Sequence, residues 1–117
     1  MIIQLAGRVA DGRWDDLVSF LKKAISFYEE PGGITVRLLR DVADPNAFIE
    51  VIEYDSEDSY TADQRRVETE PAMIIRLEEW RSLLAGPVEV RTFRDVTPLP
   101  TVRKAPDTTP NPRSDPP

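Results

Sequence analysis

With no cysteine and no histidine among its 117 residues, the chain can do chemistry only with carboxylates, lysine, tyrosine, backbone groups or a bound cofactor. Thiolate nucleophiles, Cys/His zinc centres, Ser-His-Asp triads and haem held by a proximal histidine are excluded within this chain. A buried carboxylate is the most useful group that remains, because desolvation raises its pKa and turns it into a base near neutral pH. Among the charged side chains inside strand-like segments are Arg37, Glu50 and Arg91. Cross-strand ion pairing is the other role open to them.

The remaining charge patterns give no site. Asp55, Glu57, Ser59 and Asp63 have the spacing of a calcium loop, but Tyr60 stands where that loop needs glycine and Arg66 where it needs a bidentate glutamate, so no metal is expected. Arg65-Arg66 is too short for a nucleic-acid patch in a chain with 15 basic and 21 acidic residues. Pro31-Gly32-Gly33 closes a helix instead of opening one, so it is no phosphate loop. No apolar run reaches membrane-spanning length, and the first eight residues lack the basic start and apolar core of a secretion signal. A cytoplasmic location is expected, with neither nucleic acid nor membrane as partner.

The elements that must position Glu50 and its neighbours follow from periodicity. Ile3, Leu5 and Val9 alternate with Gln4 and Arg8, a half-buried strand in which Gly7 marks a bulge or a close backbone approach. Trp14, Leu17, Val18, Leu21, Ile25 and Tyr28 fall at helical spacing, with both tryptophans of the chain, Trp14 and Trp80, expected in the core. Strands are expected over 34–42 and 47–55, joined by the tight Ala43-Asp44-Pro45-Asn46 connection of an antiparallel hairpin. Ser56-Glu57-Asp58-Ser59 starts an acidic, capped helix that Pro71 splits; a second stretch runs over 72–85, Gly86-Pro87 stops it, and a fourth strand carries Val88 to Phe93. The order β-α-β-β-α-β is the ferredoxin-like α+β unit, a four-stranded antiparallel sheet with both helices on one face. Seven of the eleven prolines and none of the aromatics lie beyond residue 97, which divides the chain into a folded domain over 1–97 and a proline-rich flexible tail over 98–117.

On this reading the helices cover Ile3, Leu5, Ile34, Val36, Leu38, Ile49, Val51, Val88 and Val90. The opposite face then carries Gln4, Ala6, Arg8, Thr35, Arg37 and Leu39, joined by Phe48, Glu50, Ile52, Tyr54, Arg91 and Phe93. That mixture is too apolar to stay wet at about 25 cal/mol per Å². Two copies packed sheet to sheet would cover it, so a homodimer is expected, its charged groups pairing or lining a cavity.

Two segments carry a family resemblance. Tyr54-x-Ser56-x-x-x-Tyr60, at the passage from the third strand into a helix, and Leu83-Leu84-Ala85-Gly86-Pro87-Val88, the lead-in to the last strand, resemble the dimeric α+β barrel superfamily, in particular its antibiotic biosynthesis monooxygenase-like domains. Many such relatives place a histidine where this chain has Asp63, and the haem-degrading branch needs one, which argues against that branch. The resemblance implies a dimeric barrel and a cofactor-independent oxygenase acting on a phenolic or quinol-type substrate. On that implication Glu50, Tyr54 and Asp63 are the local acid and base groups, no cofactor is required, and Gln4, Arg37, Phe48, Arg91 and Phe93 contact a small apolar or aromatic ligand. Arg37 or Arg91 would stabilise a phenolate or enolate. The enzyme reading requires a cavity on which Glu50, Tyr54 and Arg37 converge; the alternative is a non-catalytic interaction or regulatory module that uses its sheet face for assembly.

Overall fold

A computed structural model describes residues 1–99, and in it each stretch of alternation becomes a strand. These are β1 (Ile2–Arg8), β2 (Ile34–Arg40), β3 (Ala47–Tyr54) and β4 (Glu89–Phe93), interleaved with helices α1 (Trp14–Glu29), α2 (Glu57–Thr69) and α3 (Pro71–Ser82). The strands form one sheet in the order β2-β3-β1-β4, every neighbouring pair antiparallel. This is the expected ferredoxin-like α+β fold with its second helix divided. Pro71 sits in the first turn of α3, where a missing N–H costs nothing, and so separates α2 from α3 without disturbing either. The proline-rich tail expected from residue 98 lies, past Leu99, outside the described residues.

The core is made where the helices meet the sheet. Leu17, Leu21, Ala24 and Tyr28 form the inner stripe of α1, and Met73 and Trp80 that of α3. They close over Ile3, Ile34, Val36, Phe48 and Tyr54 of the strands. Trp80 meets Phe48 edge to face, ring centroids 6.3 Å apart. Trp14 lies further out, half-buried, with the Arg40 guanidinium stacked 4.2 Å from its ring. Gly7 makes the close approach and no bulge: it stays in register opposite Phe48, and a Cβ there would come within 3.3 Å of Val88 and 3.4 Å of the Phe48 ring.

The pairing register corrects one face assignment. Ile52, Glu50 and Phe48 of β3 lie opposite Ile3, Leu5 and Gly7 of β1, and Tyr54 lies opposite Ile34 of β2. Directly paired residues share a face. Phe48, Glu50, Ile52 and Tyr54 therefore point into the helix layer, and Ile49 and Val51 point to the open face, the reverse of the expectation. Both sets of alternating β3 residues are largely apolar, so the strand has no polarity contrast of its own, and its neighbours decide its orientation.

The passage from strand β3 into helix α2 is tied by a small polar knot. Ser56 caps α2, its hydroxyl accepting from the Ser59 backbone N–H at 3.1 Å, and the Ser59 hydroxyl donates to Asp55 at 2.8 Å. Gly33 lies against this knot in the left-handed region, at φ 74°, and a Cβ there would stand 2.5 Å from Asp55 Oδ1 and 2.7 Å from Ser59 Oγ. Gly33→Ala must both adopt that backbone and break the knot, a loss of roughly 2–3 kcal/mol. Gly32, at φ 84°, has open space around it, so Gly32→Ala carries the backbone cost alone, about 1 kcal/mol. Urea denaturation of the two variants beside the wild type measures the difference; equal losses would remove the knot from the account.

Candidate functional site

Between the sheet and helices α2 and α3 the side chains do not fill the space. A cavity of about 460 Å³ runs from Tyr54, Asp63 and Gln64 to the Gly86-Pro87-Val88 segment and Val90 of the edge strand β4. Behind it lies an inner chamber of about 60 Å³, walled by apolar side chains of β1, β2, α2 and α3 and reached by Glu50, Tyr28, Asp63 and Trp80. The two spaces lie side by side, with Leu5, Ile52, Asp63, Val67, Leu77 and Trp80 as walls of both.

The polar groups of this region are few and buried. Glu50 is only 4% exposed. Burial pushes its carboxyl up from an ordinary 4.5 to about 7, with the neighbouring Trp80 indole N–H working against the shift. Neither Glu50 Oε1 nor Trp80 Nε1 meets a hydrogen-bond partner among the described protein groups. The Tyr54 hydroxyl donates to Asp63 Oδ2 at 2.5 Å, and burial together with that bond raises the Tyr54 phenol well above its usual value. Burial, reinforced by the charge of Glu50, likewise raises Tyr28.

Asp63 is placed by α2 and held from outside. Arg66, one turn further along, stands 3.5 Å from Asp63 Oδ1 and 3.4 Å from Glu70, and it donates to the Phe27 and Tyr28 carbonyls at 3.1 and 3.3 Å. The last turn of α1 has no basic residue of its own, so Arg66 supplies the cation that its carbonyl end favours. The motif Tyr54-x-Ser56-x-x-x-Tyr60 acquires a physical role: Ser56 caps the helix, and Tyr54 and Tyr60 stack edge to face at 5.4 Å.

Of the residues expected to do chemistry, Glu50, Tyr54 and Asp63 thus come together. Phe48 lies on the same side of the sheet, packed on Trp80. Gln4, Arg37, Arg91 and Phe93 occupy the opposite, open face, so the expected convergence of Arg37 with Glu50 and Tyr54 does not occur. Arg37 instead pairs with Glu53 at 2.8 Å, and Arg91 stacks on Phe93 at 5.2 Å. The physical reason is the β3 register, which sends Glu50 and Arg37 to different faces. Sequence reasoning did not find Tyr28, Gln64 or Arg81 at the cavity; Tyr28 read as one more residue of an apolar stripe, and Gln64 and Arg81 carry no signal beyond standing next to Asp63 and Trp80. Among the described residues no group of acidic side chains could hold a metal ion, and no helix is long and apolar enough to cross a membrane.

Comparison with solved structures places this architecture. The fold is that of the antibiotic biosynthesis monooxygenase-like domains. A protein of Nitrosomonas europaea provisionally named an antibiotic biosynthesis monooxygenase superposes with a TM-score of 0.67 at 13% identity, over 83% of this chain and 90% of that one. SnoaB, a cofactor-independent oxygenase from Streptomyces nogalater, gives 0.63 at 17% identity over 83% and 95% of the two chains. A provisionally named monooxygenase of Bordetella bronchiseptica gives 0.59 at 23% identity over 82% and 98%. At these identities the likeness is one of fold. No protein-family model and no curated protein matches the sequence. In this antibiotic biosynthesis monooxygenase-like fold, the cavity described above is lined by one chain alone, on the helix side of the sheet.

Glu50 makes the fold sensitive to pH. Its pKa is higher in the folded protein than in the unfolded chain, so its contribution to stability is complete below about pH 4.5 and is lost as pH rises through about 7. The loss amounts to roughly 3 kcal/mol, at about 1.4 kcal/mol for each pKa unit. Glu50→Gln has no carboxylate to desolvate, so its stability falls less than that of the wild type between pH 4.5 and 8. Urea denaturation at several pH values measures this; parallel curves for the two proteins would show that Glu50 is not held in an apolar setting.

Proposed function

We propose that the cavity binds a small, partly apolar aromatic molecule and that the protein oxidises it as a cofactor-independent monooxygenase-like enzyme, the substrate being of the phenolic or quinol type. The observation that carries this reading is Glu50: a carboxylate without a hydrogen-bond partner on Oε1, buried in a small chamber that shares walls with a space large enough for a ligand, with a pKa near neutrality. Buried carboxylates are ordinarily paired, and one left free and tuned to neutral pH is suited to taking a proton. SnoaB, which shares the fold, is a cofactor-independent oxygenase, and this supports the same reading.

The chemistry is proton abstraction followed by reaction with dioxygen. Glu50 removes a proton from the electron-rich substrate, and the resulting anion is oxidised by oxygen, which accepts its electrons. Where the reacting carbon is a CH2 group, one oxygen atom remains as the carbonyl and the other leaves as water with both hydrogens. Apolar walls from Leu5, Ile52, Val67 and Leu77 keep bulk water from the anion, and Tyr54, fixed by Asp63, borders the space in which the ring lies. The open face, with Ile49, Val51 and Phe93 around the Arg37–Glu53 pair, is the surface on which a second copy packs.

Oxygen uptake on a panel of phenols, hydroquinones and anthrones tests the activity. Glu50→Gln is expected to lower the rate by about 100-fold or more on any compound turned over, the usual scale for loss of a general base. An unchanged rate removes Glu50 from the mechanism. Light scattering over a range of concentrations tests assembly: twice the chain mass is expected, and a persistent monomer overturns the sheet-to-sheet dimer.

A further inference from the structure

The inner chamber holds two buried polar atoms of opposite kind, neither with a partner. Glu50 Oε1 accepts hydrogen bonds, Trp80 Nε1–H donates one, and both side chains line the same 60 Å³ space. Unpaired buried polar atoms are rare in folded proteins. A group that completes both must accept from Trp80 Nε1–H and donate to Glu50 Oε1. A hydroxyl does both. The chamber's other polar side chains do not serve this need: Asp63 is engaged by Tyr54 and Arg66, and Tyr28 makes no hydrogen bond to either atom.

The chamber is too small for an aromatic molecule but adjoins the 460 Å³ cavity across walls that the two share. The geometry points to an aromatic hydroxyl compound bound hydroxyl-first, its oxygen accepting from Trp80 Nε1–H, its O–H donating to Glu50 Oε1, and its ring lying in the outer cavity beneath β4. This rests on the small-molecule reading of the same cavity and goes further in naming the orientation and the residue that selects for it. Trp80 is then a specificity-determining side chain as well as a core residue packed on Phe48. A site of this kind rejects an analogue that lacks the hydroxyl, because binding it leaves both buried atoms unpaired.

Calorimetric titration of the full chain with 1-naphthol and with 1-methoxynaphthalene separates these statements. The naphthol is expected to bind at least tenfold more tightly, since the ether has no proton for Glu50 and a bulkier oxygen for the chamber. Trp80→Phe keeps an aromatic ring on Phe48 and removes the donor; it is expected to weaken naphthol about tenfold and leave the ether unchanged. Glu50→Leu gives the same pattern from the other partner, so a Trp80 variant that does not fold leaves the proposal open to refutation. Equal binding of the two compounds to the wild type, or variants that weaken both alike, would overturn the hydroxyl clamp while the small-molecule cavity stands. Failure of both compounds to bind at millimolar concentration would overturn the clamp and the ligand-binding reading together.

Discussion

The antiparallel pairing of β3 between β1 and β2 is the constraint on which the site depends. It fixes Glu50 opposite Leu5 and Leu38 and Tyr54 opposite Ile34, all on the side covered by helices. A slip of one residue would send both to the open face and bring Ile49, Val51 and Glu53 inward. The carboxylate of Glu50 is therefore buried because seven consecutive residue pairs on each side of its strand hold it there, and those hydrogen bonds outweigh its own preference for water. Local preference is overruled by the sheet.

This arrangement sets stability against the proposed function in one side chain. An apolar residue at position 50 would relieve the desolvation of a charge and fill part of the chamber, and the fold asks for nothing else there. The same holds for the indole N–H of Trp80, whose ring packs on Phe48 with no need of a donor. By contrast the Tyr54–Asp63 bond and the Arg66 contacts have every member partnered and join β3, α2 and α1 into one framework. The unsatisfied groups and the satisfied network stand side by side, the second giving the first a fixed place.

Much of this was legible in the sequence. The strand and helix order, the break at Pro71, the close approach at Gly7 and the Ser56 cap follow from spacing and residue type, because each reflects a local rule of backbone geometry. Glu50, Tyr54 and Asp63 could be named as a group. What could not be read was which way β3 faces: Phe48-Glu50-Ile52-Tyr54 and Ile49-Val51 are both plausible linings, and their choice is made by cross-strand partners far away in sequence. From that single ambiguity came the assignment of Arg37 and Glu50 to one site, when a sheet lies between them. The roles of Tyr28, Gln64 and Arg81 were hidden for a related reason, since they arise where α1, α2 and α3 approach the same void from separate directions.

The edge strand β4 gives the cavity a property of its own. It is five residues long, exposed along its length, and hydrogen-bonded within the chain on one side only, to β1; yet Val90 and the segment leading into β4 make one wall of the cavity. The enclosure is therefore only as firm as the most weakly held strand of the sheet. If the cavity takes a ligand as proposed, its occupancy and the pairing of β4 are linked quantities: whatever covers the free edge of the strand would tighten the grip on the ligand, and the ligand would make that edge harder to peel away, by the same factor in each direction.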